Sequence, residues 1–342
     1  MRADKGDSVE HPRRSSIGII ATGACLPERR VPNAEIAATL QVDERWIARR
    51  TGVHERRFVD DDATNRGIAH AAARQAIDRA GVDPADLAGV VVATSTPDRP
   101  IPPVAPYVQA MLGAASAFAF DVNAACAGFL YSLEIARGLL GGVEGERHVV
   151  VIGSDTYSRL LNPADRGTYT LFGDGAGAVL LGPVEAGAGI LGGSLHADGN
   201  LSEIAVGGPR LPISPAQIEH GEHLAGMVGH KVAATMRTVF PVLVKDALAK
   251  HCLTIDDIDH LVCHQANPNL VRECARDAGF APEQVVITGD RYGNTAAASV
   301  PIGLDAATAD GRIRHGSLVL MVSFGAGMTW AWSLVRWVGP VR

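Results

Sequence analysis

Three side chains, far apart in the sequence, carry the chemistry. Cys126 stands in Asp121-Val-Asn-Ala-Ala-Cys126-Ala-Gly-Phe, followed by Phe129, Leu130, Leu133, Ile135, Ala136 and Leu140 at helical spacing. That pattern predicts a strand to Val122, then a helix with Cys126 at or near its N-terminus, where the dipole and unpaired N–H groups favour a thiolate. Ala124, Ala125, Ala127 and Gly128 leave room for a substrate. A core cysteine among small residues is the competing reading. His264 opens His-Gln-Ala-Asn-Pro after the strand-like Leu261-Val-Cys, and Asn294 lies in Tyr-Gly-Asn-Thr-Ala-Ala-Ala-Ser-Val-Pro, where a strand hands over to a helix. Together they supply a nucleophile, an imidazole and an amide donor suited to an oxyanion. A hydrolase needs a general base acting on water. A carbon–carbon bond-forming enzyme needs neutral donors that steady an enolate, and this set supplies them.

The elements that hold these residues repeat. Apolar, β-branched runs alternate with Ala-rich helical segments, which points to an α/β protein. Asp86-Leu-Ala-Gly-Val-Val-Val-Ala has a counterpart in Asp257-Ile-Asp-His-Leu-Val-Cys-His (257 − 86 = 171). Asp121-Val-Asn matches Asp290-Arg-Tyr-Gly-Asn (290 − 121 = 169), and Arg147-His-Val-Val-Val-Ile matches Gly316-Ser-Leu-Val-Leu-Met (316 − 147 = 169). A steady offset in 342 residues predicts two similar halves rather than unrelated domains. The expected division is a disordered polar tail over 1–16, a nucleophile-bearing half over 17–185 and a half over 186–342 with His264 and Asn294. On that reading Cys126 and Asn294 occupy near-equivalent turns and meet where the halves join.

Composition narrows the classes. A net charge of −6 argues against nucleic acid as a partner. The tail lacks an apolar h-region, so no secretory signal is expected. The uncharged stretch 100–120 is broken by Pro100, Pro102, Pro103 and Pro106, and 316–335 reads as two buried strands about Gly325 and Gly327, so no membrane span is expected. Five cysteines without a Cys-x-x-Cys indicate a reduced, cytoplasmic setting. His251, Cys252, His260, Cys263, His264 and Cys274 fit no standard zinc spacing, and no metal is expected. The GxGxG of Gly173, Gly175 and Gly177 runs into a β-like segment, unlike a dinucleotide loop, and no GxSxG elbow occurs.

Five motifs resemble β-ketoacyl-acyl carrier protein synthase III, the initiating ketosynthase of the thiolase superfamily. They are DVNAACAGF with Cys126, CHQANP with His264, YGNTAAASVP with Asn294, FGDGAGAV at Phe172 and FGAGMTW at Phe324. The resemblance runs from 17 to 337 in order and spacing. It implies an α/β thiolase fold in which duplicated βαβαβαββ halves form a five-layered α-β-α-β-α sandwich, as a homodimer. It implies an acyltransferase without a tightly bound cofactor, in which an acyl-CoA loads Cys126 and a malonyl thioester then condenses with loss of CO₂, in fatty acid or, by preference, specialised polyketide or lipid biosynthesis. The malonyl donor is malonyl-acyl carrier protein or malonyl-CoA. His264 and Asn294 would hold the enolate, the N–H groups of Cys126 and Ala326 the oxyanion, and Phe324 would shield the nucleophile.

By the same resemblance Trp46, Arg50, Thr51, Arg166, Gly229 and Asn267 take the CoA. The cluster Arg45-Trp46-Ile-Ala-Arg49-Arg50 suits an adenine ring with phosphates even without it, though a solvated face is an equal reading. Ile101, where short-chain members often carry Phe, sits at the tip of a loop expected to close the acyl pocket of a second subunit, and implies room for a branched or medium chain. The docking rim departs from the family: Asn269 replaces an Arg, Ala234 a Lys and His230 an Asn. The alternative function is an acyltransferase passing the Cys126 acyl group to an O- or N-nucleophile. The intact His264 and Asn294 favour condensation.

Overall fold

The computed structural model describes residues 16–142 and 147–339. Most of the expected tail therefore lies outside the described residues, and Ser16 already belongs to the first strand. The first half carries β1 (Ser16–Cys25), β2 (Leu87–Ala93), β3 (Phe118–Val122), β4 (His148–Asp155) and β5 (Gly175–Val184). The second carries β6 (Gly189–Ala197), β7 (His260–Cys263), β8 (Val285–Val286), β9 (Leu318–Gly325) and β10 (Thr329–Arg336). The first sheet runs β1-β5-β4-β2-β3 and the second β6-β10-β9-β7-β8, one topology used twice. In each, the first strand pairs antiparallel with the fifth and the fifth with the fourth, and the remaining pairs are parallel.

Alternation along the strands sets the layers. Val90 and Val92 of β2, with Val150 and Ile152 of β4, face helices α1 (Asn65–Ala80) and α2 (Val104–Leu112). Val91, Val149 and Val151 face the other way, onto α3 (Gly128–Leu140) and, later in the chain, α6 (Ser299–Ala309). In the second sheet Val319 and Met321 close on that central layer, while Leu318, Leu320 and Val322 face α4 (Gly229–His251) and α5 (Pro268–Asp277). Helices, sheet, helices, sheet, helices is the expected sandwich. Each fully buried Val or Leu contributes about 1.5–3 kcal/mol.

The small-residue composition has its explanation here. Ala69, Ala72, Ala73 and Ala76 of α1 have no exposed surface, and a Cβ on Gly23 of β1 would stand 2.4 Å from Ala72 O. Thr64 caps α1 by accepting from Gly67 N, and Gly81 ends it at φ +67°. The segment 100–120 divides into α2 and β3, and 316–335 into β9 and β10, as the prolines and glycines required. Among the described residues no helix is long and apolar enough to cross a membrane.

Candidate active site

Cys126 lies in the turn between β3 and α3, one residue before the helix N-cap Ala127. Ala125, just before it, has φ +46°, a conformation costing a non-glycine residue about 1–2 kcal/mol. Asn123 steadies the turn, its Oδ1 accepting from Ala125 N at 3.2 Å. The second half builds the same turn before α6: Ala296 has φ +48°, and Asn294 Oδ1 accepts from Ala296 N at 2.9 Å. Here the structure corrects the sequence reading. The turns do correspond, but at an offset of 171 (294 − 123 = 171), so Asn294 matches Asn123 and Cys126 matches Ala297. The expected 169 at this landmark pairs Asp121 with Asp290, which lies in a short helix rather than a strand.

The halves interlock at these turns. From the end of β4, Asp155 Oδ2 accepts from Ala297 N at 3.0 Å in the opposite half. From the end of β9, Ser323 Oγ donates to Cys126 O at 2.8 Å, and a Cβ on Gly325 would stand 2.7 Å from Ala124 O and 2.8 Å from Cys126 N. His264 joins the same strand end, its N donating to Val322 O at 2.9 Å. Asn294 is threaded beside Phe172, donating to Leu171 O and accepting from Gly173 N at 2.8 and 3.0 Å. Because its Oδ1 is occupied, the free part of the Asn294 amide is the Nδ2 donor.

Electrostatics assign protonation states. Burial pulls the His264 imidazole down to about 4, against a weaker opposing bond to the Ala296 backbone, so it is neutral at pH 7. Its Nδ1 is buried without a hydrogen-bond partner. The Cys126 thiol moves the other way: burial pushes it up, and the Asp155 charge adds to that. The thiolate expected from the helix dipole is therefore overruled, since desolvation exceeds what one helix terminus supplies. Asp155 is itself pushed up by burial, although Ser95, Ala297, Thr96 and Thr94 all donate to it.

The other expected site residues fall in two places. Phe324 stacks on Phe240, ring centroids 6.1 Å apart, on the strand that carries Ser323, and Ala326 follows in the turn whose carbonyl accepts from Thr329 Oγ1. Packed against α5, helix Glu44–Thr51 is capped by Asp43, buries Ile47 and leaves Trp46 half-buried with the Arg50 guanidinium 5.7 Å from its ring. Arg166 is exposed and reaches back to Leu40 O at 3.5 Å. Gly229 opens α4 with empty space around its Cβ position, and Asn267 caps α5 through Leu270 N while donating to Arg50 O at 3.2 Å. Thr51 is only 2% exposed, and its hydroxyl donates to Ile47 O and accepts from Val53 N, closing the helix. Ile101 is 83% exposed.

Sequence reasoning missed several neighbours of Cys126. Asp155 is one, and Tyr157 is another: it stacks on Phe172 at 4.6 Å, bonds Ser95 Oγ at 3.0 Å and is pushed up by burial and by the charges of Cys126 and Asp155. Only Ser-Asp directly after a β run hinted at Asp155, a signal shared by many strand ends. Cys263 and Cys274 are buried in the outer core, His260 bonds Arg312 O and His251 lies edge-on to Trp332.

Residues 120–199 match the family description 3-oxoacyl-[acyl-carrier-protein] synthase III, and 248–337 match its C-terminal part. An acetoacetyl CoA synthase of Streptomyces sp. (strain CL190) is 43% identical over 324 residues, 93% of this chain and 98% of that one. The β-ketoacyl-acyl carrier protein synthase III of Thermus thermophilus superposes with a TM-score of 0.88 at 36% identity, covering 94% and 100% of the two chains. The priming β-ketosynthase of the R1128 polyketide pathway gives 0.88 at 31% identity, covering 96% and 98%.

Proposed function

The chain belongs to the 3-oxoacyl-[acyl-carrier-protein] synthase III family, and from that premise we propose that Cys126 carries the acyl group and that malonyl-CoA serves as its condensing partner. The protein is a ketosynthase III-type acyltransferase, and the roles of its residues follow from the site. The Cys126 sulfur attacks the acyl-CoA thioester, the neutral His264 imidazole can receive the thiol proton, and CoA leaves as the thiol. The malonyl thioester then loses CO₂, and the enolate oxygen is held by neutral donors, the His264 imidazole N–H and Asn294 Nδ2. The enolate carbon attacks the acyl carbonyl, whose oxyanion faces the N–H groups of Cys126 and Ala326, and collapse releases the Cys126 sulfur as a thiolate that takes a proton from solvent to restore the thiol. No tightly bound cofactor enters these steps.

The observation that carries the condensation reading is the Asn294 amide. Ala296 N holds its Oδ1, so Nδ2 is available as a donor, which acyl transfer to an oxygen or nitrogen nucleophile does not require. Trp46, Arg50, Arg166, Gly229 and Asn267 form the CoA mouth. The choice of malonyl-CoA over a malonyl carrier protein rests on the rim. Asn269, at the position of a family Arg, donates to Arg49 O at 3.0 Å and to Ala48 O at 3.5 Å, and so is turned inward on the mouth helix. Ala234 and His230 leave two further docking positions without their family side chains. The acetoacetyl CoA synthase relative is named for a CoA product. A homodimer is part of the reading, supported by exposed Ile101 and by the half-buried outer strand β3 with Phe118 and Phe120; the primer is then bounded by Tyr157 and by Ile101 of the partner subunit.

The test is intact-protein mass after acetyl-CoA and longer acyl-CoAs, followed by malonyl-CoA or malonyl carrier protein. One acyl group should add to the native enzyme and none to Cys126→Ala, whose turnover should fall more than about 10³-fold. Malonyl-CoA alone should then release CO₂ and a β-ketoacyl-CoA. Condensation only with the carrier protein would overturn the choice of partner, and strict use of acetyl-CoA would overturn the roomier primer pocket.

A further inference from the structure

Beneath Asn294 lies a charged side chain that the steps above leave unused. Arg56, in the strand Glu55–Arg57, has no exposed surface. Its guanidinium donates to Val31 O at 3.3 Å, to Asn33 Oδ1 at 2.9 Å and to Thr170 O at 2.8 Å, and Nε has no partner. None of the described carboxylates forms an ion pair with it, and burial pulls it down to about 10, still charged at neutral pH. A buried cation whose hydrogen bonds all go to neutral oxygens, with Glu35 and Glu55 acting on it only through space, is costly to keep, and an apolar side chain would fill the same volume. What an apolar residue could not do is donate to three acceptors on two distant chain segments, 31–33 and Thr170, from one rigid fork.

Those segments lead to Asn294. Thr170, held by Arg56, precedes Leu171 and Gly173, which clamp the Asn294 peptide from both sides. The Arg56 stem lies against the same backbone: a Cβ on Gly173 or Gly293 would stand 3.1 or 3.2 Å from Arg56 Cβ. In the other direction Asn33 Nδ2 donates to Val53 O at 2.7 Å, Val53 N donates to Thr51 Oγ1 at 3.0 Å, and Thr51 closes the helix bearing Trp46 and Arg50. His54 N adds a bond to Asp290 O at 2.8 Å, four residues before Asn294. A path of hydrogen bonds and short backbone links thus joins the mouth helix to the enolate donor, with Arg56 at its centre.

We propose that Arg56 is a positioning residue for Asn294, fixing the amide at the place where the malonyl thioester oxygen must be met and tying that place to the helix at the CoA mouth. The proposal rests on the reading of Asn294 as an enolate donor. Loading of Cys126 needs no enolate, so the two half-reactions separate a positioning role from general support of the fold.

The experiment compares native enzyme with Arg56→Lys, Asn33→Ala and Asn294→Ala. Single-turnover acylation is followed by mass at saturating acetyl-CoA, and CO₂ release by the acylated enzyme is measured separately at saturating malonyl-CoA, so that weaker CoA binding through the mouth helix affects neither rate. Arg56→Lys should load within about twofold of native and release CO₂ at least about tenfold more slowly. Asn33→Ala should show the same pattern more weakly, and it decides the matter if Arg56→Lys does not fold. Equal losses in both steps, or no loss of CO₂ release, would overturn the proposal. If Asn294→Ala itself keeps full CO₂ release, the reading of Asn294 fails and the proposal fails with it; loss in Asn294→Ala beside unchanged Arg56 and Asn33 variants overturns the proposal alone.

Discussion

The turn before α3 and the turn before α6 share one backbone, a left-handed alanine braced by an asparagine, yet only the first carries a nucleophile. They differ in what the opposite half offers. The Ala297 N–H is stoppered by the Asp155 carboxylate, whereas at the end of β9 Gly325 brings bare backbone against Cys126 and has no side chain to cap its N–H. One duplicated geometry thus serves two ends. Where a carboxylate fills the turn it becomes structural cement, and where a glycine leaves it open a donor and a thiol remain for substrate. The related asparagines divide in the same way: Asn123 is exposed, while Asn294 is 5% exposed.

The largest way to test that division is to remove the two asparagines in turn. Asn294→Ala should lower condensation about 10²–10³-fold, the usual cost of one oxyanion donor. Asn123→Ala removes only a turn bond worth about 0.5–1.5 kcal/mol and should cost activity a few-fold, through a looser Cys126. Steady-state condensation rates with melting curves check both. Equal kinetic losses would mean that the two asparagines do the same work and that the asymmetry is misread.

Gly325→Ala should come next. A Cβ there would meet Ala124 O at 2.7 Å and both Cys126 N and Ala127 N at 2.8 Å, which are backbone atoms that cannot rotate aside. The turn has to shift, costing about 1–3 kcal/mol by overpacking. Moving the nucleophile and its N–H by a fraction of an ångström should slow acyl loading about 10²-fold. Single-turnover acylation measured beside thermal denaturation distinguishes the two contributions, and a variant that loads at the native rate would show that the open N–H is not used.

How much of this was legible beforehand follows physical lines. Periodicity marked the helices, which bury one face, and continuous apolar runs marked the central strands, which bury both; the repeat was visible because the two halves share this pattern. The residue-level register was not, since it depends on turn conformations at Ala125 and Ala296 that no alanine announces. Cys126, His264 and Asn294 stood out through motifs at strand ends. Arg56 and Asp155 did not, because their meaning lies in contacts made across more than a hundred residues, to Thr170 and Ala297. Thr51 shows the converse: its hydroxyl is held by close sequence neighbours, Ile47 and Val53.

The Cys126 thiol supplies the smallest and most graded test. Had the helix terminus won, iodoacetamide would react at a rate already flat near neutral pH, because the thiolate would be fully formed. Burial and the Asp155 charge instead hold the thiol protonated beyond its ordinary range. The reactive fraction should therefore rise about tenfold per pH unit from pH 6 to 9 without levelling. His264, pulled down to about 4, keeps one charge state over that interval and adds no inflection of its own. Labelling at Cys126 is followed by peptide mass, so that the other four cysteines do not blur the profile. A plateau below pH 8 would show that the open turn is electrostatically activated at rest. The two turns would then differ by charge as well as by access, which a straight profile rules out.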